Sequence, residues 1–92
     1  MEYHIKRKNK NNTKTSALTD MYEVYLMENI YPEKILYQST KEIIENLKSG
    51  HKYYVPKNKL DRIEVIHANG EHIKTKADTE TINNLYNLEN YN

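Results

Sequence analysis

The side chains with the best claim to chemistry are cations and aromatics. Lys74 and Lys76 stand two apart in a run that alternates polar and apolar residues from 73 to 77. On a strand, such a spacing puts both ammonium groups on one face about 7 Å apart, within reach of one phosphate or two neighbouring ones. His67 and His72 flank Asn69-Gly70, the dipeptide preferred in a two-residue type I′ hairpin turn. That turn predicts that His67 faces His72 and Ile66 faces Ile73, so that Val65, His67, His72, Lys74 and Lys76 share a face and form a cradle for an anion. Tyr53 and Tyr54 follow Lys52. Tyrosine can stack a base and lysine can neutralise phosphate. Successive strand residues point to opposite faces, so one of the two rings is predicted to be a platform and the other core. The same residues also fit an ordinary solvated sheet face.

A second basic cluster, Lys6, Arg7 and Lys8, opens the chain. Residues 1–14 carry a net +4 and residues 78–92 a net −3, against +1 for the whole. A basic arm of this kind can touch nucleic acid or an acidic surface, and is also what a solvated strand end looks like. A sequence pI of about 7.9 lies below the usual footprint of a nucleic-acid-binding domain.

Catalytic sets are missing from the sequence. There is no cysteine, and the only two glycines, Gly50 and Gly70, fall where a helix cap and a hairpin turn need them, leaving none for a phosphate loop. Two imidazoles fall short of the four ligands of a structural metal site. The expectation is a protein that is not an enzyme and carries no cofactor or metal.

Elements must position these side chains. Ninety-two residues make one domain. Short alternating runs near 3–7, 22–27, 34–38, 52–55, 62–68 and 71–77 predict strands, and the polar stretch 9–16 a mobile loop. Ser39-Thr40-Lys41-Glu42 is a capping box, and Ile43, Ile44 and Leu47 form a one-sided stripe ahead of Gly50. One helix near 40–49 is therefore expected on one face of a small antiparallel sheet of about five strands. Ile82, Leu85, Tyr86, Leu88 and Tyr91 predict a C-terminal tail that wraps back over the sheet, with a helical turn near 83–88. The fold class is α+β.

Residues 63–79, followed by Asn84-Leu85 and Leu88, resemble an uncharacterised bacterial and phage family known as domain of unknown function 3892. Ile73, Lys74 and Thr75 match its Leu-Arg-Thr strand; Asp78 and Thr79 match its turn without the glycine; Glu89 and Tyr91 replace a proline and a phenylalanine of its ending. The resemblance spans about residues 34–91 and implies a fold, with no activity attached.

Asn, Lys, Ile and Tyr supply 42 of the 92 residues. All have A/T-rich codons, which points to a low-GC bacterium or its phage. The absence of cysteine, of a long apolar run and of a leader-like start suggests a cytoplasmic protein without a membrane partner. The functional expectation is a non-catalytic binding protein, an inhibitor or sponge, for an anionic nucleotide-type ligand or an acidic protein surface. The alternatives are a nucleic-acid-binding module using Lys6, Arg7 and Lys8 with one of the tyrosines, and an oligomerisation module whose partner is a second copy of the chain.

Overall fold

The computed structural model describes residues 1–13, 16–26, 35–56, 62–68, 72–76 and 85–91. Strands β1 (Glu2–Lys8), β2 (Met21–Leu26), β3 (Ile35–Ser39), β4 (Lys52–Pro56), β5 (Arg62–His67), β6 (Ile73–Thr75) and β7 (Glu89–Asn90) surround one helix, α1 (Thr40–Lys48). All strands join one sheet in the order β3-β2-β1-β4-β5-β6, and β7 pairs with β1. The fold is α+β as expected, but the sheet is larger and it is mixed. The helix explains the difference. Strand β3 runs antiparallel to β2, and β2 antiparallel to β1, while β4 runs parallel to β1. Hence β3, α1 and β4 form a split crossover with β2 and β1 between the two strands, and a parallel pair needs such a helical crossover.

α1 forms where the sequence says it must. The Ser39 hydroxyl accepts the Glu42 amide, and the Glu42 carboxylate reaches back to the Ser39 amide. At the other end the Gly50 amide bonds the Leu47 carbonyl and the His51 amide bonds the Asn46 carbonyl. This double bond pattern needs a left-handed residue, and Gly50 has φ +95°. The buried stripe Ile43 and Ile44 packs on Tyr3, Ile5, Tyr22, Val24, Tyr53, Val55 and Val65 of the strands beneath, with Ile73 and Leu85 completing the core. Each large aliphatic side chain so buried stabilises the fold by about 1.5–3 kcal/mol.

The expected tail contributes through Leu85, which is buried, and Leu88, which packs against the core. Leu85 to Leu88 form a turn closed by a 3.4 Å backbone bond. β7 then adds to β1 beyond the point where β4 leaves it.

Residues 9–13 and 16, within the stretch read as a mobile loop, are tied in by hydrogen bonds. The Asn12 side chain bonds both the amide and the carbonyl of Met21, and the Asp20 carboxylate accepts from the amide and hydroxyl of Thr13. The Ser16 hydroxyl bonds the Ile73 backbone.

The hairpin register departs from expectation by one residue. His67 pairs with Ile73, Ile66 with Lys74 and Val65 with Thr75. The Ala68 amide bonds the His72 carbonyl, so three residues connect the strands; Asn69 and Gly70 themselves lie outside the described residues. A one-residue slip exchanges faces. Here it places Val65, Ile73 and Thr75 together in the core and turns Lys74 outward. The two-residue turn would have put Lys74 and Lys76 beside buried Val65, which the cost of burying ammonium groups forbids.

Candidate functional site

Opposite α1, the sheet has a second face built from the alternate strand residues. Its organising feature is a bulge in β1. Ile5 pairs with Val24, but Arg7 pairs with Glu23, so Lys6 is the extra residue. A bulge re-aims side chains. Lys6 lies 4.8 Å from the Tyr25 ring centroid and Arg7 reaches Glu23, two residues away on the same face of β2. Two successive cations thereby share one face, and Lys8 turns to the other side, buried with its ammonium 4.6 Å from the Tyr86 ring centroid. The three do not form the arm expected from their sequence; they belong to an interior strand.

The Arg7–Glu23 pair is a two-point contact, Nε to Oε1 at 2.9 Å and Nη2 to Oε2 at 2.6 Å. The Glu23 side chain is 1% exposed and that of Arg7 41%. The guanidinium hydrogen bonds hold the Glu23 carboxyl below the usual carboxylate range against the opposing effect of burial, with Tyr25 and Lys6 assisting. The same hydrogen bond raises the Arg7 value.

Beside this pair runs a row of three rings. His4 is in register with Tyr25 of β2 and with Tyr54 of β4. The ends of the row carry cations: Lys6 over Tyr25, and Arg62, whose guanidinium carbon is 4.0 Å from the Tyr54 ring centroid. Arg62 also lies 3.6 Å from Glu2. Farther out on β3, Ile35 and Tyr37 are exposed, and the Tyr37 ring meets Tyr91 at 5.2 Å.

The predicted anion cradle is divided by the hairpin register. Lys74 and His72 are exposed on the outer face, and Lys76 is 3.0 Å from Glu64. His67 sits at the end of β5 on the opposite face and has Ile73, not His72, as its partner. Neither Tyr53 nor Tyr54 is a bare platform. Tyr53 is fully buried, stacked on Tyr3 at 4.8 Å, with its hydroxyl bonded to Asn46 and Gln38. Burial pushes its phenol up to about 12. Tyr54 is 9% exposed on the outer face, outside the core cluster, and Arg62 covers it.

Sequence reading missed Tyr25, His4 and Arg62 as partners. The period-two alternation of Tyr22 to Leu26 and Tyr3 to Arg7 put Tyr25 and His4 on outward positions, but nothing in the sequence says that β1 lies between β2 and β4. Among the described residues no group of three or more His, Asp or Glu is placed to hold a metal ion. Nor is any described helix long and apolar enough to cross a membrane. Comparison with family models, curated proteins and solved structures finds no match.

Proposed function

We propose that this domain is a non-catalytic binding protein that takes an anionic, base-containing ligand, a nucleotide or a short single strand, on the outer sheet face. The observation that carries the reading is the row Tyr25, His4, Tyr54 with Lys6 and Arg62 at its two ends. Aromatic rings on a sheet face stack bases without reading sequence, and cations beside them meet phosphates; here Tyr25 and His4 are the half-exposed rings, and Tyr54 lies beneath Arg62. Arg62 adds a planar cation on which a base can itself stack. The reading keeps Lys6, Arg7 and Tyr54 of the basic-cluster alternative and replaces the Lys74/Lys76 cradle as its centre. A cytoplasmic setting belongs to the same proposal.

Fluorescence anisotropy with a labelled oligothymidylate tests it. Lys6→Gln with Arg62→Gln should weaken binding about tenfold or more. It should also reduce the salt slope by about 1.4, the value for two lost phosphate contacts to a single strand. Equal affinity of the double variant and the parent would overturn the sheet face as the site.

Self-association is a second reading, favoured by the exposed Ile35 and Tyr37 on β3, the outermost strand of the sheet order. A sedimentation velocity run that gives a monomer at all concentrations would remove it.

A further inference from the structure

A separate concavity of about 350 Å³ opens where α1 ends above β4 and β5. Four of its lining residues are basic: Lys48 from the last turn of α1, His51 and Lys52 from the entry to β4, and His67 from the end of β5. Among the described lining residues Glu64 is the one acid, and its carboxylate is 3.0 Å from the ammonium of Lys76. Leu47, Val65 and Ile66 supply an apolar floor, which lowers the local dielectric and strengthens any ionic contact made over it.

A helix C-terminus ordinarily repels an anion, because its last carbonyls are bare. Here they are not. The amides of Ser49, Gly50 and His51 bond the carbonyls of Glu45, Asn46 and Leu47. Gly50, at φ +95°, makes that wrap possible and carries the chain directly into the groove at His51. The His51 ring is held edge-on to Tyr3 at 6.1 Å, and its Nδ1 lies 3.2 Å from the N-terminal ammonium of Met1, a further cation facing this groove residue. The C-terminal loop of α1 thus satisfies three of the helix's terminal carbonyls and sets Lys48, His51 and Lys52 beside them at the groove.

We infer that this groove is a second binding site, for a compact oxyanion of two or more charges: a phosphate or diphosphate group, free or at the end of a larger ligand. The site uses none of the rings on the outer face, so its fate is independent of the stacking surface.

The test uses inorganic pyrophosphate, which has no base to stack. Amide shifts followed by NMR should saturate at Gly50, His51, Lys52 and His67. The double variant Lys48→Gln with His67→Gln alters two exposed side chains and should keep the dispersed spectrum. Its affinity for pyrophosphate should fall by about tenfold or more, as expected when the charge-assisted contact of Lys48 and the imidazole contact of His67 are both lost. Unchanged affinity of the double variant, shifts centred on Lys6 and Arg62, or the absence of saturable shifts would each overturn the site. A parallel titration with ADP separates the two sources of the anion. Tighter binding than pyrophosphate with the same four shifts assigns a nucleotide's diphosphate end; equal or weaker binding assigns the free anion.

Discussion

Tyr53 and Tyr54 are neighbours in β4 and meet opposite environments. Tyr53 faces α1, stacks on Tyr3 and hands its hydroxyl to Asn46 and Gln38. Tyr54 faces away from the helix, and a guanidinium rather than a hydrocarbon lies over it. The same contrast runs through the sheet. On the helix face, Ile5, Val24, Val55 and Val65 are sealed from water; on the outer face, Glu2, Lys6, Arg7, Glu23 and Arg62 make ionic and ring contacts. A chain with nine tyrosines and no other large aromatic must use one residue type for two jobs. It fills the core where the hydroxyl finds a side-chain amide at the core's edge, and it forms a cation-covered surface on the other face. Stability should therefore reside on the helix face and base stacking on the other.

Alanine at each position tests that division most directly. Tyr53→Ala should cost about 3–5 kcal/mol, the usual range for removing a large buried aromatic. Tyr54→Ala should cost less, about 2–3 kcal/mol, because the ring, 9% exposed, lies under the Arg62 guanidinium rather than in the apolar core; it loses that burial and one cation–π contact worth about 0.5–1 kcal/mol. Urea unfolding of both variants gives the comparison, and a reversed order would mean that the outer face carries the fold.

The faces also differ in which end of the pH scale attacks them. Glu23 on the outer face has a depressed native value, so its contribution is present above the ordinary carboxylate range and is lost as pH falls through the native value. Glu23→Gln should flatten that acid limb and lower the melting temperature at neutral pH. On the helix face the sign is opposite. Burial raises the phenols of Tyr22 and Tyr53. Unfolded tyrosine ionises first, near 10, so stability should fall as pH rises from about 10 toward the native value of about 12 for Tyr53. Tyr53→Phe removes its share of that alkaline loss; at neutral pH it costs about 1–3 kcal/mol because Asn46 and Gln38 lose a partner. Melting curves across the pH range would show an unchanged alkaline limb in Tyr53→Phe if the phenol is not responsible.

What the sequence made legible was local. The capping box at Ser39, the glycine cap at Gly50, the stripe Ile43, Ile44 and Leu47, and most strand positions follow from residue type and period. The strand order was not legible, because the crossover that makes β4 parallel to β1 is a consequence of where the helix docks. The candidate site failed for a related reason. Faces in a hairpin depend on a register that one extra residue reverses, and Asn69-Gly70 suggested a two-residue turn where the strands are joined by three. The bulge at Lys6 was equally invisible, since it leaves no mark in a run of cations. Its effect, splitting Lys6 and Arg7 from Lys8, decides which basic residues lie on the outer face.

The smallest effect concerns the pair that the sequence put first. Lys74 lies on the outer face of the last strand of the sheet order and Lys76 just past its end, separated from the aromatic row by its partner Glu64, which is in register with Tyr54. The Lys76 side chain is 60% exposed, its partner Glu64 34%, and an ion pair so open to water contributes about 0.2–1 kcal/mol at most. Lys74 is exposed too. The double change Lys74→Gln with Lys76→Gln should therefore lower stability by less than about 1 kcal/mol. It should weaken oligothymidylate binding less than Lys6→Gln with Arg62→Gln does, because the lost charges are not beside a ring that can hold a base. Measured in one salt series, the two double variants rank the surfaces. If the β6 pair changed the affinity and the salt slope more than Lys6 and Arg62 did, the ligand would cross the sheet near β5 and β6. The aromatic row would then be a covered structural layer like the core behind it.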